Sequence, residues 1–239
     1  MTKILLMFAA LTFSTPAWAT WSMVNANTCN LSCSGTTCAV SVTSTTAGNV
    51  IAALYVGNTN SSITNVTGGA FTHCAGCQGG SSGTDWIDMG GTLSATGGTT
   101  TVTVTVSPSA SSWTACATEW HSTLGAGVVD TQATHTDTSC TTCAAPALTI
   151  TGTNDLIIQA AGCTNTCATS ATAGFVGASP YTNPAQAPGG AGWGAALNQA
   201  SYVAPNWSQN TSGAVQVSAW AIKETGAAPV SVRGKMILQ

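Results

Sequence analysis

Charge is what this sequence has least of. Asp, Glu, Lys and Arg together make up 5% of its 239 residues, against about a quarter in an average soluble protein. Basic residues are the scarcest: after Lys3 none occurs until Lys223, and only Arg233 and Lys235 follow. Nucleic-acid binding rests on clusters of Lys and Arg that neutralise phosphates, so that class of partner is excluded. Long apolar runs are also missing beyond the first twenty residues, which leaves no membrane-spanning helix, since one needs about 20 apolar residues. Helical periodicity is nearly absent, because no long window carries apolar residues at i, i+3, i+4 and i+7. Intrinsic disorder is excluded from the other side: 44% of residues are hydrophobic, enough to build a sizeable core.

What replaces charge is hydroxyl. About forty threonines and two dozen serines must supply most of the polar surface. The N-terminus reads as a targeting signal: Lys3 is followed by the apolar run Ile4–Leu11, a break at Ser14-Thr15-Pro16, and the small-x-small site Ala17-Trp18-Ala19. Cleavage before Thr20 is expected, with export to the periplasm, the cell surface or the medium.

All ten cysteines lie beyond that site. In an exported chain an even count reads as a disulfide framework. Three pairs are local: Cys74 with Cys77, Cys140 with Cys143, and Cys163 with Cys167. Of the four that remain, Cys33–Cys38 with Cys29–Cys116 is the favoured arrangement, and Cys29–Cys33 competes with it. Other chemistries fit less well. Neither Cys-x-x-Cys opens a helix, as a redox site requires. No His follows either pair, as haem attachment requires. Zinc held by Cys74, Cys77, Cys140 and Cys143 has acceptable spacing, but exported thiols oxidise first. No cofactor or metal is expected.

Strand patterns run through the chain. Thr99–Val106 alternates Thr with Val, placing Val102, Val104 and Val106 on one face and Thr101, Thr103 and Thr105 on the other. Val50–Val56 and Leu156–Ile158 are apolar on both faces, which suits central strands between two layers. Further strands are expected at Ala39–Thr45, Trp113–His121, Leu148–Thr151, Asp155–Ala161, Gly194–Val203 and Ala214–Lys223. Turn signals punctuate them, including Gly48-Asn49, Gly79-Gly80, Gly90-Gly91 and Gly97-Gly98. The expected fold is all-β: one antiparallel sandwich of about eight to ten strands over residues 20–225, with disulfide-stapled loops. A linker and tail, residues 226–239, follow. The alternation that places Val230, Val232, Gly234, Met236 and Leu238 on one face of that tail gives two readings, a frayed end or an extra strand that promotes self-association.

The order of segments resembles a group of exported bacterial proteins of uncharacterised role, some with the module inside larger surface proteins. The resemblance rests on Ala47-Gly48-Asn49-Val50-Ile51-Ala52, Ile63–Gly68, the Gly97–Val104 stretch, Glu119-Trp120-His121-Ser122 and Val129-Asp130. It extends to Thr153–Ile157, Ser179–Thr182 and Ala219–Glu224, and spans roughly residues 36 to 224. It implies a jelly-roll-like sandwich and no particular activity. The cysteines depart from the pattern and mark a subgroup.

Few groupings carry chemistry. Glu119 and His121 are two apart on one strand and share a face, which is half of an acid–base pair. With Glu119 and His121, one of Asp85, Asp88 or Asp130 would complete a secreted hydrolase, yet no nucleophile motif accompanies them. His73, His121 and His135 are the residues for a histidine site. Trp86, Tyr181, Trp193, Tyr202 and Trp207 fall in or near loop-like sequence and are the candidates for stacking on sugar faces; filling the ends of the core is the competing role. The function expected is an exported, non-catalytic module acting at the cell surface by adhesion or carbohydrate contact. A secreted hydrolase and a self-assembling structural subunit are the alternatives.

Overall fold

The computed structural model describes residues 20–80, 86–125, 127–164, 167–169, 175–181, 190–204 and 206–224. The expected targeting segment and the tail lie outside these residues, as does Asp85. Among these residues twelve strands form two antiparallel sheets. The first sheet is built from β1 (Trp21–Ser41), β2 (Val50–Gly57), β3 (Ser62–Val66), β4 (Gly69–His73), β5 (Trp86–Ala95) and β6 (Thr101–Ser122). Its order is β1-β6-β2-β5-β4, with β3 also paired to β6. The second comprises β7 (Gly127–Cys143), β8 (Asp155–Cys163), β9 (Cys167–Thr169), β10 (Phe175–Tyr181), β11 (Gly190–Gln199) and β12 (Trp207–Glu224). It runs β10-β11-β8-β12-β7, with β9 on β12. Each sheet is therefore made by one half of the chain. Among the described residues no helix is long and apolar enough to cross a membrane.

The sandwich is held by apolar side chains meeting between the sheets. Val50, Ala52, Leu54 and Val56 of β2 pack there with Met89, Trp120, Leu156, Ile158, Trp193, Trp220 and Ile222. A β-strand points alternate residues to opposite faces, so Ile51, Ala53 and Tyr55 leave β2 on its other side. They enter a second core with Val40, Ile63, Val66, Val102, Val104, Val106 and Trp113. That core exists because the first sheet folds back over its own outer face. The early half of β6 pairs with β3, and its later half pairs with β2. The face of β6 that meets this core switches between the halves, from Val102, Val104 and Val106 to Trp113, Ala115 and Ala117, across the segment that contains Pro108. The expectation of a central strand between two layers holds for β2 for this reason. The outer face of the second sheet is covered by smaller groups: Ile157 and Ala221 lie under Leu148, Ile150 and Tyr202.

Several local expectations need correction. Gly90-Gly91 is inside β5 and makes no turn. A β-carbon at Gly91 would run into the Ile51 carbonyl oxygen, and one at Gly90 would crowd Phe71. Glycine is required there by close approach, which is its other use in sheets. Leu148–Thr151 is extended but pairs with no strand. β1 extends the expected Ala39–Thr45 strand back to Trp21, β5 and β7 replace what composition made look like loops, and the strands among the described residues number twelve.

Candidate functional site

The buried carboxylates gather into three networks, each on different elements. The first is at the start of β2 and the end of β6. Glu119 is 1% exposed, and its Oε1 accepts hydrogen bonds from the Thr46 backbone N–H at 2.7 Å and from Asn49 Nδ2 at 2.6 Å. Asn49 Oδ1 in turn lies 2.9 Å from His121 Nδ1. Glu119 and His121 thus share a face as the strand period requires, and Asn49 links them. Asp88 and Asp130 are held in networks of their own.

The second network centres on Asp88 of β5, which is fully buried. Its Oδ2 accepts from the Ile63 N–H at 2.7 Å and contacts His73 Nε2 at 2.8 Å, and Oδ1 accepts from the Met89 N–H at 2.9 Å. Burial raises its pKa above the usual carboxylate range, while the Ile63 N–H and the neighbouring His73 pull the other way. These contacts pin β3 and the edge strand β4 onto β5.

The third lies at the junction of β7, β8 and β12. Asp130 accepts from the Thr151 N–H at 2.5 Å, the Thr151 hydroxyl and the Gly152 N–H at 3.4 Å. Lys223 Nζ stands 2.9 Å from Asp130 Oδ1. Despite burial, these donors hold the Asp130 carboxyl well below the usual range. Asp155, fully buried, is its neighbour. Burial and the adjacent Asp130 push the Asp155 carboxyl up to about 7. When ionised, Asp155 finds no donor for either oxygen; as the acid it can donate to Asp130, so the two share one proton. Gly152 is needed here, since a β-carbon would overlap Asp155 Oδ1. Sequence reasoning named Asp130 but missed Asp155, Lys223 and Thr151. The one signal available was that Lys223 is the single lysine of the described residues.

Among the described residues, the acids and histidines named from sequence are therefore not assembled into one cleft. His73, His121 and His135 go to Asp88, Asn49 and Asp137 respectively, which dissolves the histidine-site reading. Two of the aromatic candidates need correction as well. Trp193 and Trp207 are 4% and 1% exposed, because both sit on strands and face inward. Trp207 Nε1 donates to Gln159 Oε1 at 3.1 Å, and the Tyr202 hydroxyl accepts from Gln159 Nε2. Trp86 is half-buried against the first sheet's outer core. The Tyr181 side chain lies outside the described residues. An inter-sheet cavity of about 20 Å³ is lined by Leu54, Met89, Cys116, Ile158 and Trp193; it has room for about one water.

The cysteines are paired as Cys29–Cys116, Cys33–Cys38, Cys74–Cys77 and Cys140–Cys143. Cys163 is also disulfide-bonded, and no free cysteine is found among the described residues. Asp137 with Cys140 and Cys143 is close enough to resemble a metal site, but both sulfurs are committed to one bridge and cannot act as thiolate ligands. Compared with protein-family models, curated proteins and solved structures, the chain matches none.

Proposed function

We propose that the chain is an exported, non-catalytic β-sandwich module that acts outside the cytoplasm by contact, as an adhesive or structural unit. One observation carries the reading: Glu119, Asp88 and Asp130 are spent in three separate networks, each tied to backbone N–H groups of its own neighbourhood. A hydrolase needs two such groups facing a common substrate. Closed disulfides support an oxidising compartment.

Contact is made through strand edges and hydroxyl faces. β1 is an edge strand with no charged residue between Trp21 and Ser41. Natural edges carry charge or irregularity to prevent strand addition; β1 relies on its register shifts alone. β7, one edge of the second sheet, carries exposed Thr134, Thr136 and Thr138, the first two with their hydroxyls bonded to β12. Partners are glycans, cell-surface components or further copies of this chain, the last assisted by residues 226–239. Light scattering of the mature protein against a form lacking residues 227–239, together with a glycan array, tests the reading. A change in mass or solubility, or a bound glycan class, supports it. Identical monomers with a blank array, and turnover lost in Glu119→Gln, would overturn it.

A further inference from the structure

The third network has the parts of an amide-forming site. We propose that Lys223 and Asp130 join covalently, through an isopeptide bond that ties β12 to β7. The inference stands independently of the contact role above.

Four features of the geometry converge on this reaction. The nucleophile is in place, with Lys223 Nζ 2.9 Å from Asp130 Oδ1. The electrophile is out of water: the Asp130 side chain is 1% exposed, while Lys223 enters from the surface at 37%. The other carboxyl oxygen, Oδ2, faces two consecutive backbone N–H groups, Thr151 at 2.5 Å and Gly152 at 3.4 Å. Paired backbone donors of that kind stabilise the oxyanion of a tetrahedral intermediate in acyl transfer. Asp155 supplies the fourth feature. It is buried with no donor to its carboxylate form, so it rests as the acid beside Asp130, the state a general acid needs.

The step balances without any co-reactant. The ammonium and carboxylate exchange a proton through Asp155, giving a neutral amine and a carboxylic acid. The Nζ lone pair attacks Asp130 Cγ, and the Thr151 and Gly152 N–H groups hold the charge that develops on Oδ2. Asp155 protonates the departing oxygen and takes back a proton from nitrogen. A C–N bond forms, a C–O bond breaks, and one water leaves. Glu224 is the other titratable group near Asp155; its carboxylate accepts from the Ser122 hydroxyl, directed to the first sheet.

Scarcity of basic residues makes the test direct. Lys223, Arg233 and Lys235 are the only tryptic sites beyond Lys3, and trypsin does not cut at an amide-linked lysine. The mature protein, folded with its disulfides and then reduced and denatured, is expected to weigh about 18 Da less than the reduced sequence mass, one water. It should release no peptide spanning residues 224–233, and fragment sequencing should place the link at Asp130. Lys223→Arg and Asp155→Ala should recover the full mass. Because wild type carries the decisive reading, poor folding of a variant leaves the test intact. Full reduced mass in folded wild type, with cleavage at Lys223, would overturn the proposal. Water loss that persists in Lys223→Arg would overturn it equally.

Discussion

Glu119 is where the structural and enzymatic readings of this molecule part most cleanly. Its Oε1 accepts hydrogen bonds from Thr46 N–H and Asn49 Nδ2. Glutamine can place a carbonyl oxygen at the same point. Glu119→Gln therefore keeps these two bonds and loses their charge assistance, roughly half the strength of each, while the cost of burying an anion disappears. These oppose, and the net change should stay within about 1 kcal/mol. Glu119→Ala removes the acceptor. Asn49 is 2% exposed, so its Nδ2 cannot be rehydrated without rearrangement, at about 1 to 3 kcal/mol; Thr46 is exposed and its N–H recovers water. With the side-chain void added, the loss should be about 3 kcal/mol. In a domain of this size that lowers Tm by about 6 to 12 °C. Urea unfolding with disulfides intact measures it, followed by tryptophan emission, since Trp120 beside it is fully buried. Equal destabilisation by both substitutions would refute the argument, because it would mean that the charge and not the acceptor position is what matters.

Gly91→Ala should prevent accumulation of folded protein or cost several kcal/mol, since the added carbon meets the Ile51 backbone; soluble yield and Cm decide, and a Cm near wild type would count against the packing described. Opening Cys29–Cys116 by a double Ser substitution should cost about 4 to 5 kcal/mol in the chain-entropy picture, for an 87-residue separation. Opening Cys33–Cys38, with a separation of 5, should cost about 2 kcal/mol, and equal Tm shifts would contradict that ranking. In Lys223→Arg, where both acids remain free to titrate, Asp155 favours its acid form in the folded state. The stability it contributes is then complete near pH 4 and is lost as pH rises through about 7, by up to about 4 kcal/mol. A flat or rising stability over that window, measured by urea titration at several pH values, would reverse the assignment.

What the sequence displayed and what it hid follow from burial. β2 was legible because a strand covered on both faces must be apolar at every position, and Val50–Val56 is. β8 was legible for the same reason. β7 was not: it is an edge strand with one face in water, so Thr, His and Asp fill it and no alternation of apolar residues marks it. β5 was masked by Gly90 and Gly91, whose role is clearance beneath neighbouring chain and not reversal of direction. Trp193 and Trp207 looked loop-borne because Gly and Pro surround them, yet each faces inward from a strand. The Asp130–Asp155–Lys223 group needs three elements brought to one point. Spacing along the chain carries no trace of it, since Asp130 and Lys223 meet across 93 residues.

The division of the two sheets between the two halves of the chain bears on how the molecule comes into being. A polypeptide emerges from the ribosome, or crosses a membrane unfolded, N-terminus first. Once Ser122 has emerged, every strand of the first sheet is present, together with the core between β2 and the early half of β6. The bridges Cys29–Cys116, Cys33–Cys38 and Cys74–Cys77 can all close at that stage without waiting for a later cysteine. The second sheet is ordered in the opposite way. Its last strand to arrive, β12, lies inside it, between β8 and β7. Nothing before Trp207 can unite those neighbours, so β8 and β11 can cover only part of the apolar underside of the first sheet, and the part that meets Trp220 and Ile222 waits until the final strand is released. For a chain with so little charge to keep such an intermediate apart from its copies, that interval is when aggregation competes most strongly with folding.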